Sequence, residues 1–168
     1  MTEKKPNIKS AVLSFVMFSA AFLLHYTDVI NISIRSAVPV LLIPLLTAFS
    51  MFKSTGVSAA AGLAVGICMD GCAEGSSCFN SVVLMLFAIF ISALSDNLFN
   101  KNIRSALLLS LLFSFLYFIL RWTFFYAFSY NAGQNLTYLL QRALPSALYT
   151  AVFIIPFYFV FKGLNSEQ

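Results

Sequence analysis

Six apolar runs, parted by short polar breaks, occupy most of the chain: Ser10–Leu24, Ala37–Met51, Val57–Met69, Phe79–Leu94, Ser105–Phe128 and Ala143–Phe161. A helix that crosses a bilayer needs about 20 mostly apolar residues, within a range of about 17–25. In hydrocarbon a helix also satisfies its own backbone groups. No run shows the period-2 alternation of a barrel strand. The pattern predicts an all-α, polytopic membrane protein: a single integral membrane domain over residues 1–168 with six transmembrane helices. The third run is the shortest and is rich in Gly and Ala.

The breaks add detail. Thr27–Ser36 carries alternating Ile30, Ile32 and Ile34 and is expected to dip toward the membrane. Asp70–Ser77 contains Gly71 and Gly75, which permit a tight turn. Pro39 and Pro44 predict a bend in the second helix; Pro145 falls in the first turn of the sixth, and Pro156 predicts a kink within it. The stretch Trp122–Tyr130 is dense in aromatics and suits a membrane–water interface.

Composition narrows the function classes. Only 10% of the residues are charged against 60% hydrophobic, whereas a soluble domain carries about 25% charged residues. No water-facing catalytic domain fits between the runs. The net charge of +4 would suit a nucleic-acid partner if the cations were clustered, but they alternate. Lys4, Lys5, Lys9, Lys53, Lys101, Arg104 and Lys162 lie at the termini and in the second and fourth breaks. Asp28, Asp70 and Glu74 lie in the first and third, beside Arg35, with Arg142 in the fifth. Excess Lys and Arg marks the cytoplasmic side. The expected topology therefore has both termini cytoplasmic, with the first run acting as a signal-anchor. The lipid bilayer is the expected environment, and nucleic acid is not an expected partner.

Two constellations stand out. Ser58, Gly62 and Gly66 recur every fourth residue and share one helix face, which lets another backbone approach closely. That face serves either packing within the bundle or an interface with a separate chain, a second copy included. Arg121 stands inside the fifth apolar run, where a charge costs about 2.5–3.5 kcal/mol. It either snorkels to the interface or pairs with Asp70, the acid that ends the third helix, as a structural ion pair. Cys68, Cys72 and Cys78 lack the partners of a zinc site. They are expected to be packing residues or free thiols, with a Cys72–Cys78 disulfide open in an oxidising exterior. There is one histidine, His25, and no P-loop, dinucleotide motif or serine elbow. No enzyme, cofactor or resident metal is expected.

The segment Gly62-Leu63-Ala64-Val65-Gly66-Ile67-Cys68-Met69-Asp70 resembles the glycine-rich third helix, ending in an acid, of the bacterial rod shape-determining protein MreD. Pro145-Ser146-Ala147-Leu148-Tyr149-Thr150 is similar to the opening of that family's last helix, with Thr150 where the family commonly has Asn. The likeness extends over the whole chain. It implies a non-enzymatic scaffold of the cell-shape machinery in the bacterial cytoplasmic membrane. Its implied partners are a single-span MreC-like protein and, indirectly, an MreB-like filament and the synthase of peptidoglycan elongation. It also implies a bundle like that of the S-components of energy-coupling-factor vitamin transporters. The alternative function follows from that fold: an outward pocket for a vitamin, drawn from Asp28, Asn31, Asp70, Glu74, Asn80, Arg121 and Tyr126–Tyr130.

Overall fold

The computed structural model describes residues 8–26, 40–72, 78–97, 102–125 and 144–166. Regular structure among them is helical throughout: α1 (Ile8–Tyr26), α2 (Leu42–Phe52), α3 (Thr55–Cys72), α4 (Phe79–Asn97), α5 (Ile103–Phe125), α6 (Leu144–Val152) and α7 (Ile154–Ser166). Four stretches are long and apolar enough to cross a membrane: Thr55–Cys72, Phe79–Asp96, Ile103–Phe125 and, over α6 and α7, Pro145–Leu164. Much of their apolar surface faces outward, with Phe124 67% and Leu108 62% exposed. Water-soluble monomers rarely expose contiguous apolar patches beyond a few hundred Å², so this exterior suits lipid.

The second predicted span is described in part. Of Ala37–Met51 the structure describes Val40 onward, and its helix α2 has only 11 residues. At about 1.5 Å per residue it is about 17 Å long, little more than half a hydrocarbon core of about 30 Å. Every residue from Leu42 to Met51 is buried, and α2 touches each of the other helices. It is the axis of the bundle. A helix apolar on all sides must be buried, but sequence does not say whether in lipid or in protein. In α1, Ala11–Tyr26 is likewise a shorter apolar helix.

A buried helix needs partners for the backbone groups at its ends. Neighbouring helices supply them to α2. At its start, the Val40 N–H donates to Thr150 Oγ1 on α6 (3.1 Å), while Val40 O accepts from the Ile43 N–H. At its finish, Ser95 Oγ of α4 donates to Met51 O (3.4 Å) and Ser92 Oγ to Lys53 O (3.2 Å). Pro44 sits in the first turn of α2, where a missing N–H removes no helical bond. The break between α6 and α7 falls at Phe153, whose N–H turns to Thr150 O (3.2 Å). Pro156 is the cause, because it cannot donate to Val152 O and its ring crowds that carbonyl.

Contacts between helices fix their directions. Thr55 meets Ser92 and Asp70 meets Asn80, so α3 and α4 are antiparallel. Phe79 meets Phe125 and Phe87 meets Phe113, so α4 and α5 are antiparallel too. Val40 meets Thr150 and Phe52 meets Tyr158, so α2 runs parallel to the α6–α7 pair. Asp70 and Arg121 therefore come to one end of the bundle, and Lys53, Asp96, Arg104 and Lys162 to the other.

Candidate functional site

The polar site grows out of the α3–α4 hairpin. Ser58, Gly62 and Gly66 are all buried on α3. A Cβ on Gly62 would lie 2.6 Å from Leu84 O, and one on Gly66 would lie 2.7 Å from Asn80 O. Both distances are too short for any side chain, so only glycine allows this approach. The small-residue face is filled from within the chain, by α4. Ser58 Oγ has no hydrogen-bond partner among the described residues, so the packing uses its size.

This approach brings Asp70, one turn beyond Gly66, onto the start of α4. Its Oδ1 accepts from the Asn80 N–H (3.0 Å), and its Oδ2 from the Ser81 N–H (2.8 Å) and Ser81 Oγ (2.5 Å). The first N–H groups of a helix have no intrahelical acceptor and carry partial positive charge. Asp70 is thus an N-cap supplied by the neighbouring helix, where capping residues ordinarily stand on their own.

Asn80 passes the connection to α5. Tyr117 Oη donates to Asn80 Oδ1 (2.8 Å), and Arg121 Nη1 reaches Tyr117 Oη at 3.5 Å. Tyr117 is fully buried, while Arg121 is exposed. Phe79 packs beside the Tyr117, Phe124 and Phe125 rings and covers this junction. From α1, Tyr26 Oη donates to Met69 O (3.3 Å). One end of α1, α3, α4 and α5 is tied by a chain of hydrogen bonds.

Of the expected Asp70–Arg121 ion pair, the structure shows the hydrogen bonds that each partner makes. The two charges belong to one network: Asp70 accepts from α4, and Arg121 reaches Tyr117. Two backbone N–H groups and a hydroxyl stabilise the carboxylate, and the guanidinium stands at the exposed rim. Sequence reasoning missed Tyr117 and Ser81. Tyr117 stands four residues before Arg121, hence on the same helix face, and that spacing was the available signal.

The remaining candidates are placed as follows. Ser146 is buried, and its carbonyl accepts from Thr150 Oγ1 (2.6 Å). Pro145 is exposed in the first turn of α6. The side chain of Tyr149 lies outside the described residues, as do Asp28, Asn31, Arg35, Glu74, Lys101, Tyr126–Tyr130 and Arg142. Cys68, Cys72 and Cys78 are exposed free thiols; they neither pack the core nor form the Cys72–Cys78 disulfide. Among the described residues no group of three His, Cys, Asp or Glu is placed to hold a metal.

Fold and site together define a class: an all-helical, membrane-type bundle with a buried axial helix, knit by caps that one helix donates to another. No family model, no curated protein and no solved structure matches the chain.

Proposed function

We propose that the chain is a non-enzymatic membrane scaffold of the cell-elongation machinery, resembling MreD, in a bacterial cytoplasmic membrane. The observation that carries this reading is the use made of Gly62–Asp70, the segment with the resemblance. Its glycines seat α3 on α4, and its acid caps α4, so its polar chemistry is spent on holding helices. A vitamin pocket at the same end would draw on Asp70 and Asn80, whose oxygens are already engaged. That favours the scaffold over the transporter component.

The end bearing Lys53, Arg104 and Lys162 is the cytoplasmic one in this reading, and the Asp70 end faces outward, following the bias of cations to the inner side. The partner is a single-span protein with a coiled coil, docked on the exposed apolar exterior. The reading is tested by co-expressing the chain with the coiled-coil single-span protein of its own host and purifying in mild detergent. A complex that survives gel filtration is expected. A chain that elutes alone and carries a co-purified vitamin overturns the scaffold.

A further inference from the structure

We infer that the end opposite Asp70 carries a binding site for the phosphate headgroup of an anionic phospholipid, built by the start of α5 and the end of α7. A partly open cavity of about 260 Å³ lies there, lined by Asn102, Ile103, Arg104, Tyr158, Phe159 and Lys162. It falls below the range of about 300–1,000 Å³ that suits a whole drug-sized ligand. A headgroup is a better match in size.

The charge is one-sided. Arg104 and Lys162 both line the cavity, and neither forms an ion pair with a carboxylate among the described residues. Lys162 Nζ lies over the Tyr158 ring, 5.9 Å from its centroid, which leaves its charge in place. Asp96 is at the same end of the bundle but does not line the cavity. Arg104 also stands where a helix disfavours cations. It is the second residue of α5, whose first turn contains no acid, and a helix start is already positive and favours anions. Asn102 O accepts from the Ala106 N–H (3.0 Å), so the first N–H groups of α5 have no partner within the helix. Helix start, guanidinium and ammonium add their positive potential at one cavity.

The surroundings select a lipid over a free anion. Phe159, at the cavity wall, is 56% exposed, and one turn along α5 from Arg104 the outward face continues through Leu108, Leu111 and Leu112. Arg104 and Lys162 stand at the ends of their apolar stretches. A phosphate in the cavity leaves its acyl chains against an apolar wall. Basic pockets between helices on the cytoplasmic side are suited to anionic headgroups.

The test uses the full chain in neutral detergent, titrated with phosphatidylglycerol, phosphatidylcholine or inorganic phosphate. Phosphatidylglycerol should bind at least about tenfold more tightly than phosphatidylcholine, since a net negative charge is what two cations distinguish. Each cation near an anionic surface contributes about a fivefold factor, so Arg104→Gln with Lys162→Gln should weaken phosphatidylglycerol by about thirtyfold. Arg104→Lys with Lys162→Arg should retain it. Lys53→Gln, at the same end but outside the cavity, should change it by less than about twofold. Should the double glutamine variant not fold, each single variant carries the test with its fivefold loss. Equal losses in Lys53→Gln and the double variant overturn the site in favour of diffuse attraction. So do unchanged affinity in the glutamine variants and equal binding of the two lipids. Inorganic phosphate competing at the same concentration as phosphatidylglycerol overturns the lipid assignment.

Discussion

At the scale of single residues, Asp70 shows how one carboxylate acts at a helix start, where acceptors are scarce. It satisfies two backbone N–H groups and one hydroxyl of α4, and hydrogen bonds to a charged group contribute about 1.5–3 kcal/mol. Asp70→Ala should therefore cost about 2 kcal/mol, read as a lower midpoint in thermal unfolding in detergent. Asp70→Asn keeps one acceptor and should cost about half as much. Coupling should follow the hydrogen bonds. Asp70→Ala with Ser81→Ala should lose clearly less than the sum of the two, because they share a bond. Asp70→Ala with Arg121→Ala should add to within about 0.5 kcal/mol, as for groups without a direct contact. Strong coupling in that second cycle would favour the ion pair.

At the scale of helices, close approach and foreign caps hold the bundle. In Gly66→Ala the new methyl meets the backbone of Asn80 and Ser81, which cannot yield without moving the N–H groups that Asp70 caps. The expected cost is about 1–3 kcal/mol from overpacking, compounded by the disturbed cap. The same unfolding measurement should place Gly66→Ala well below an alanine at Gly56, where a Cβ meets nothing. Thr150→Val keeps the shape but removes the acceptor for the buried Val40 N–H. A buried donor left unsatisfied costs about 1–3 kcal/mol. Thr150→Ser, which retains the oxygen, should recover most of it. Buried Ala106, Ser110 and Ser114 repeat the four-residue spacing on α5, and Ser110 and Ser114 lack hydrogen-bond partners among the described residues. Small size again is what the packing selects.

At the scale of the molecule, the two ends differ in charge, and the exposed cysteines give a means to orient them. Cys72 and Cys78 lie at the Asp70 end as free thiols. In intact cells a membrane-impermeant maleimide should label them, provided that end faces outward. A cysteine replacing Ser54, in a chain whose native cysteines are serines, should react only after the membrane is opened. The reverse pattern would invert the topology and set aside the rule that cations stay inside. The bundle exposes apolar side chains along its length, Phe15 at 73% among them, so its stability is a property of chain and surrounding amphiphile together.

The sequence by itself determined the helical class, because apolar runs of this length can satisfy their backbone in hydrocarbon only as helices. It also determined the small-residue face of α3, since a spacing of four is a local property of any helix, and the break ahead of Pro156, which follows from a missing N–H. Only the tertiary structure decided that α2 is packed among the other helices as the axis of the bundle, because uniform hydrophobicity reads alike against lipid and against protein. Only the tertiary structure assigned Asp70 to the start of α4 and Thr150 to the start of α2, across sequence separations of about 10 and of 110 residues. A charge or hydroxyl in an apolar run announces that a partner exists. Which partner it takes depends on which helix end the packing brings within about 3 Å.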